Sequence, residues 1–411
     1  MRQKNCISDL ALFGGEPTFR KKLHVGCPNI GKQEDLFRRF HEVIDRRWLS
    51  NNGPCVQELE AKLAAYTGVK HCIVTCNATV ALELAIRALG LTGEVILPAF
   101  TFVATAHALQ WQEVTPVFCD VDPVTHTIDP KRVEQLITPR TTGIVGVHLW
   151  GRPCDVEALS EIAERRNLKL LFDAAHAFGC SHKGKMVGGF GNAEVFSFHA
   201  TKFFNTSEGG AVMTNDDLLA RKLCLMRNFG FADLDKVVYL GTNGKMNEIS
   251  AAMGLTNFES LPQFVEINRS NYELYRRHLK KVPGIRLLSR AEHERSNYQY
   301  VVLEIDEAIT GISRDDLVKV LTAENVIARR YFAPGCHRME PYKSYFPNAS
   351  LLLPVTERLC QQVMTLPTGT AVGPAEILNI CRLIKFAMLN AGAISTGLHP
   401  FQPSSNLPLV A

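Results

Sequence analysis

Leu168-Lys169-Leu170-Leu171-Phe172-Asp173-Ala174-Ala175-His176 is a short apolar run that ends abruptly at an acid. A run of this kind reads as a buried strand that delivers Asp173 at its carboxyl end, the edge of an open α/β sheet where ligands sit. A second apolar run, 194–198, also ends in polar residues, Ser197-Phe198-His199-Ala200-Thr201-Lys202, and places Lys202 29 positions after Asp173. Glu208-Gly209-Gly210 and a further strand, 211–214, follow. One carboxylate and one amine thus converge on one crevice.

Working outward, strands and helices alternate. The spacing predicts amphipathic helices over 35–47 and 53–66, then a strand over 71–75, Cys76-Asn77-Ala78-Thr79, and a helix over 80–89. Small and polar residues at a helix start leave N–H groups facing an anion, so 77–79 reads as a phosphate site; the plainer reading is that Asn77 or Thr79 only caps the helix. Strands over 94–97, 116–120 and 143–148 alternate with helices over 101–110, 130–137 and 155–166, which implies a mainly parallel, doubly covered sheet. Asn215 or Asp216 caps a helix to Arg227, and 256–281 reads as a long helical stretch leading to a smaller domain. That domain is expected to hold a strand over 298–305, a helix from Ser313 to Asn325 and a terminal helix over 374–389. The division expected is an arm (1–25) lying on the surface, a large domain (26–260), a smaller α+β domain (261–390) and a disordered tail (391–411), since Gly, Ser, Pro and small residues bury too little to order.

The 411 residues are 46% hydrophobic and 21% charged, an ordinary balance for a large core plus a smaller one. Lysine and arginine exceed the acids by 45 − 41, or +4, and are scattered rather than striped, which argues against nucleic acid as a partner. Twelve cysteines without a CxxC pair read as reduced thiols of a cytoplasmic protein, and nothing completes Cys72 and Cys76 into a metal site. No apolar run reaches the roughly 18 residues of a membrane helix, so no membrane is expected.

A lysine that forms a Schiff base and an acid that keeps a pyridine nitrogen protonated are what a pyridoxal phosphate enzyme needs. Spacing alone leaves blander readings open: an acid at a strand end is often a helix cap, and a loop lysine is usually solvated. The wording of the segments adds to it. FDAAHAFG and then SFHATKFFNTSEGGAVMTND resemble the DegT/DnrJ/StrS family of pyridoxal phosphate-dependent sugar aminotransferases, and the resemblance runs from about Gly14 to about Ile384, including Leu12-Phe13-Gly14-Gly15-Glu16-Pro17 at its start.

The resemblance implies a fold-type I large domain and a set of roles. Lys202 would carry pyridoxal 5'-phosphate and shuttle the proton, with Asp173 on the ring nitrogen. Ala78 and Thr79, where the family usually has Gly or Ser, and Ser197 would hold the phosphate. Phe102, otherwise a core aromatic, would stack on one ring face, and His176, otherwise structural, would lie near the other with a donor for the phenolic oxygen. Asn243, in Gly241-Thr242-Asn243-Gly244-Lys245-Met246-Asn247-Glu248, would complete the phosphate site of the other subunit in a homodimer with shared active sites. Gly244 and Lys245 depart from the family's aromatic and arginine. Arg329, Arg330, Tyr331 and His337 fall where the family meets substrate or subunit interface.

Glutamate is the implied donor and a nucleotide-linked keto sugar the acceptor, first dTDP-4-keto-6-deoxyglucose giving dTDP-4-amino-4,6-dideoxyglucose. A 3-keto sugar nucleotide or a cyclitol ketone stays as an alternative, as does a cofactor-binding protein without turnover. The family's dehydratase branch replaces the lysine with histidine, so Lys202 points to amine transfer.

Overall fold

In the computed structural model, which describes residues 4–398, the apolar runs assemble into one seven-stranded sheet. Its strands are β1 His71–Thr75, β2 Glu94–Pro98, β3 Thr115–Cys119, β4 Thr141–Val147, β5 Lys169–Asp173, β6 Ala193–Ser197 and β7 Gly210–Thr214. The order across the sheet is β1-β7-β6-β5-β4-β2-β3. β3, β2, β4, β5 and β6 run parallel, and β7 is antiparallel to both its neighbours.

Burial on both faces explains why these strands are continuously apolar rather than alternating. Along β5, Leu171 joins Val145, Val195 and the helix Ala78–Ala88 on one face. Leu170 and Phe172 join Leu159 and Ile162 of the helix Val156–Arg166 on the other. Asp216 caps its helix as expected, and Asp129, Asp155 and Ser313 likewise each accept a hydrogen bond from a backbone N–H of the helix that follows.

The stretch 256–281 is mostly helical as expected, in two pieces: Glu248–Glu259 ends at Ser260 and Leu261–Leu279 restarts with Pro262 in its first turn, where a proline's missing N–H is no loss. Two expectations are corrected. The N-terminal segment does not merely lie on the surface. Leu10 is fully buried in the core of the C-terminal sheet, and the buried Glu324 carboxylate accepts from Ala11 N, Thr18 N and Thr18 Oγ1, each at 2.7 Å, and pairs with Lys4 at 3.0 Å. The expected disordered tail begins with a helix, Ala391–Leu398, whose Ile394 is fully buried; small residues still order where one large apolar side chain finds a core. The rest of that tail lies outside the described residues.

The C-terminal sheet is antiparallel, β8 Ile285–Leu287, β9 Val301–Ile305 and β10 Val363–Leu366. Tyr272, Tyr275 and Leu279 of the helix Leu261–Leu279 pack on it together with the helix Pro374–Leu389. The buried carboxylate of Asp120, just past β3, caps the helix Pro354–Gln362 by accepting from Val355 N at 2.9 Å and from Thr356 N and Oγ1 at 2.8 Å. Among the described residues, no single helix is long and apolar enough to cross a membrane.

Candidate active site

β5 and β6 are adjacent and parallel, with Asp173 opposite Val195, so their carboxyl ends present Asp173 and, two residues farther along the next strand, Ser197. Beyond Ser197 the chain turns, with Lys202 N donating to His199 O at 2.8 Å, and brings Lys202 back over the strand ends. Lys202, Ser197 and His176 line one narrow cavity with Asn297, Gln299 and Tyr300.

Each charged group here is tuned by its surroundings. Burial pushes the Lys202 amine down to about 8, against the opposing pull of the Asp173 carboxylate. Burial pushes Asp173 above the usual carboxylate range, opposed by hydrogen bonds from Thr105 Oγ1 (2.8 Å) and Ala175 N (3.1 Å) and by the charge of Lys202. The two groups therefore sense each other in a site of low dielectric, where moderate separations still matter. The Lys202 amine makes no hydrogen bond among the described residues, which leaves its lone pair free for chemistry in the neutral form.

His176 lies in an aromatic cluster. Its ring is nearly parallel to those of Trp150 (5.8 Å, 20°) and Phe332 (5.8 Å, 14°), with Tyr300 edge-on at 5.0 Å. Burial first, then the charges of Lys202 and Arg290, push its pKa well below the ordinary histidine value, so the ring is neutral. Nδ1 accepts a long bond from Trp150 N, 3.4 Å, which places the ring proton on Nε2 and makes that nitrogen the donor.

The helix Ala78–Ala88 starts where expected. Asn77 is its cap, accepting from Val80 N at 2.9 Å, so the plainer reading of Asn77 holds; Ala78 N and Thr79 N make no hydrogen bond among the described residues and remain free donors at a helix start. A Cβ on Gly210 would come within 2.6 Å of Ala78 N, so β7 approaches this turn more closely than any side chain permits.

Of the expected site residues only Lys202, His176 and Ser197 line the cavity; Asp173, Ala78, Thr79, Phe102 and Asn243 do not. Phe102 caps the helix Val103–Gln110 and exposes 57% of its surface, beside Arg329, Arg330 and Tyr331. Asn243 is exposed in a segment bridged to Asn228, one residue before Gly244, whose carbonyl accepts from Cys76 N at 2.8 Å. His337 is buried and bonded to Glu357 at 2.6 Å.

Several contributors were not expected. Thr105, four residues after Thr101, holds Asp173; its place in the first turn of a helix that follows a strand end was the available signal. Asn297 donates to His176 O and Phe178 O (2.9 and 3.1 Å), and Gln299 to Thr201 O (2.9 Å). Nothing local in the sequence marks these two.

This arrangement offers an amine near neutrality, a buried carboxylate and an anion-ready helix start. Comparison with known proteins agrees with it: the profile of the DegT/DnrJ/EryC1/StrS aminotransferase family matches residues 31–385. The chain belongs to that family. It is a pyridoxal phosphate-dependent aminotransferase of fold type I.

The crystal structure of DesI in the presence of its TDP-sugar product superposes on this aminotransferase with a TM-score of 0.91 at 47% identity, covering 96% of this chain and all of that one. A dTDP-4-amino-4,6-dideoxy-D-glucose transaminase of Shigella dysenteriae is 40% identical over 78% of this chain and 88% of its own length. The enzyme of the same name from Escherichia coli is 35% identical over 89% of this chain and 98% of its own.

Proposed function

We propose that the enzyme moves an amino group from glutamate to C4 of a nucleotide-linked 4-keto-6-deoxy sugar, converting dTDP-4-keto-6-deoxyglucose to dTDP-4-amino-4,6-dideoxyglucose. The observation that carries this reading is the pair at the ends of β5 and β6, an amine held near neutrality beside a buried carboxylate, in a chain that matches two transaminases of that product over most of its length.

The residues present fit pyridoxal phosphate. The free N–H groups of Ala78 and Thr79, with Ser197, would hold its phosphate; Lys202 would hold it covalently; Asp173 would face its ring nitrogen, with Phe102 and His176 on its two faces. Asn243 of the partner subunit would complete the phosphate site in a homodimer, in the cytoplasm. When bound, the cofactor supplies an electron sink conjugated to the carbon that loses its proton.

The protein's own groups do the rest. At neutral pH a fraction of Lys202 is unprotonated, so its Nζ can take the proton from the amino acid's α-carbon as a general base and hold it for return as a general acid. Asp173 as an anion would hold a proton on the ring nitrogen, and facing that cation would offset the penalty that burial alone imposes on its charge. The neutral His176, a donor at Nε2, suits the ring's oxygen without adding positive charge beside Lys202. The aromatic wall excludes water from the reacting bonds.

Incubation with glutamate and a panel of keto nucleotide sugars, read by product mass, tests the reading. The expected product is the 4-amino sugar with dTDP. Amination of a 3-keto sugar or a cyclitol ketone alone would overturn the substrate assignment, and failure of glutamate alone to bleach the cofactor's visible band would overturn turnover itself.

A further inference from the structure

The carbonyls on either side of Lys202 are each held by a side-chain amide from a distant part of the chain. Gln299 Nε2 donates to Thr201 O at 2.9 Å, and Asn29 Nδ2 donates to Phe203 O at 3.0 Å. The amide of Asn29 is used at both ends, since its Oδ1 accepts from Thr370 N at 3.0 Å. A carbonyl partner at one end and an N–H partner at the other fix which way that amide points.

Three residues before Asn29, Gly26 has a left-handed φ of +75°, and a Cβ there would fall 2.9 Å from both Cβ and O of Thr201. Residues 26–29 therefore straddle Lys202, meeting the residue before it at Gly26 and the residue after it at Asn29. Further bonds lock this crossing in place. Asn205 Nδ2 donates to Asn29 O at 2.8 Å, while Asn257, from the helix Glu248–Glu259, accepts from Gly31 N and donates to Asn205 O, each at 2.8 Å. Asn29, Asn205 and Asn257 are all buried, so a shift of any of them leaves a polar group unpaired away from water.

We propose that residues 26–29 position Lys202, with Asn29 as the positioning residue: its bond to Phe203 O, set against the bond from Gln299 to Thr201 O, holds the lysine's backbone on both sides. The lysine's own N–H is fixed as well, on His199 O at 2.8 Å. With the backbone anchored at three points, the place of Nζ is left to its side-chain torsions alone. That matters because a misplacement of about 1 Å costs on the order of 10²-fold in rate. The proposal rests on the reading of Lys202 as the reactive amine.

Two variants disturb the segment in different ways. Asn29→Leu is close in shape, adds no charge and removes both side-chain bonds, whereas Gly26→Ala sets a methyl group against Thr201. Each is made in the full chain and stripped of cofactor, and two quantities are measured. One is the affinity for pyridoxamine 5'-phosphate, which has the ring and the phosphate but forms no bond to lysine. The other is the rate at which pyridoxal 5'-phosphate becomes borohydride-trappable on Lys202, followed by peptide mass. Positioning predicts a split: affinity for the amine form within about twofold of wild type, and attachment slowed by about 10-fold or more. Loss of both together overturns the proposal and makes Asn29 a support of the whole cofactor site; loss of neither overturns it too and leaves the segment as packing. If Asn29→Leu does not fold, Gly26→Ala decides by the same split. Attachment at another lysine in the wild type would instead sink the underlying reading, and amide hydrogen exchange over 198–206 in the cofactor-free variants then tests the tether alone: faster exchange is expected, and unchanged exchange refutes it.

Discussion

On the side of the crevice formed by the large sheet, Asp173, Ser197 and Lys202 come from one short span and sit at the ends of two adjacent parallel strands. On the opposite side, Asn297, Gln299, Tyr300 and Phe332 come from much later in the chain and reach the same place through hydrogen bonds to backbone carbonyls and ring contacts. On the proposed function the first wall holds the charges that define the reaction. The second dries it, neutralises His176 and fixes the loops. Chemistry encoded locally and environment supplied from afar should therefore fail in different ways when disturbed.

The largest expected failure is in the first wall. Lys202→Ala should lose covalently attached, borohydride-reducible cofactor and drop turnover by on the order of 10⁴-fold, the upper range for a positioned acid–base group. Retention of the reducible attachment, measured by peptide mass, would sink the assignment. Asp173→Asn should follow, losing about 10²–10³-fold in kcat while the fold survives. The amide oxygen can still accept from Ala175 N, and the Thr105 hydroxyl can turn to accept from the new NH₂. A melting temperature near wild type with activity in that range would confirm that the lost charge, not lost packing, is responsible.

Much of the first wall was legible because it follows from sequence of short range. A strand ending at Asp173, a second ending near Ser197 and a helix start at Ala78 are all local patterns, and the family's wording fixed their joint meaning. Phe102 and Asn243 carry the same wording, yet in this single chain they stand outside the Lys202 cavity, so their roles depend on groups not contributed by these elements. The second wall was not legible. Asn297 and Gln299 are ordinary polar residues before a strand, and only the approach of the C-terminal sheet to β5 and β6 turns them into contacts. The burial of Leu10 and the order of 391–398 escaped for the same reason: both depend on where the second core lies.

Asn297→Ala breaks the second wall. Asn297 is 2% exposed; its amide donates to His176 O and Phe178 O, and its oxygen accepts from Gln299 N at 3.0 Å. Leaving two buried carbonyls short of a donor should cost about 2 kcal/mol of stability by denaturant melt, with a fall in kcat well short of that for Lys202. A kcat loss as large as the Lys202→Ala loss would erase the distinction between the walls.

The same distinction gives a pH signature without catalysis. Lys202 is held at about 8, below its ordinary value, so under pH 8 the folded protein buries a charge that the unfolded chain keeps in water. Between pH 8 and the ordinary lysine value the unfolded state binds more protons than the folded one, and stability from this group rises with pH. Lys202→Met in the cofactor-free protein should thus be more stable than wild type by roughly 2 kcal/mol at pH 7, a figure discounted for partial exposure, and the gain should shrink above pH 8 and vanish near pH 10.5. A gain that stays constant with pH would mean the amine is not desolvated.

Phe102→Ala should have the smallest effect, and it separates two accounts of an exposed ring. A phenyl side chain 57% exposed at a helix start contributes little to the fold, so its removal should leave the melting temperature nearly unchanged. If the ring covers one face of the cofactor, its loss forfeits a stacking contact of about 0.5–1.5 kcal/mol, or roughly 2- to 13-fold in cofactor affinity, and Phe102→Tyr restores it because the flat face is kept. If the ring instead meets the sugar nucleotide beside Arg329 and Tyr331, cofactor affinity stays put and KM for the keto sugar rises by a similar factor. Equilibrium binding of the cofactor to the stripped protein, set against KM for the sugar, decides between a residue that belongs to the first wall and one that extends the second.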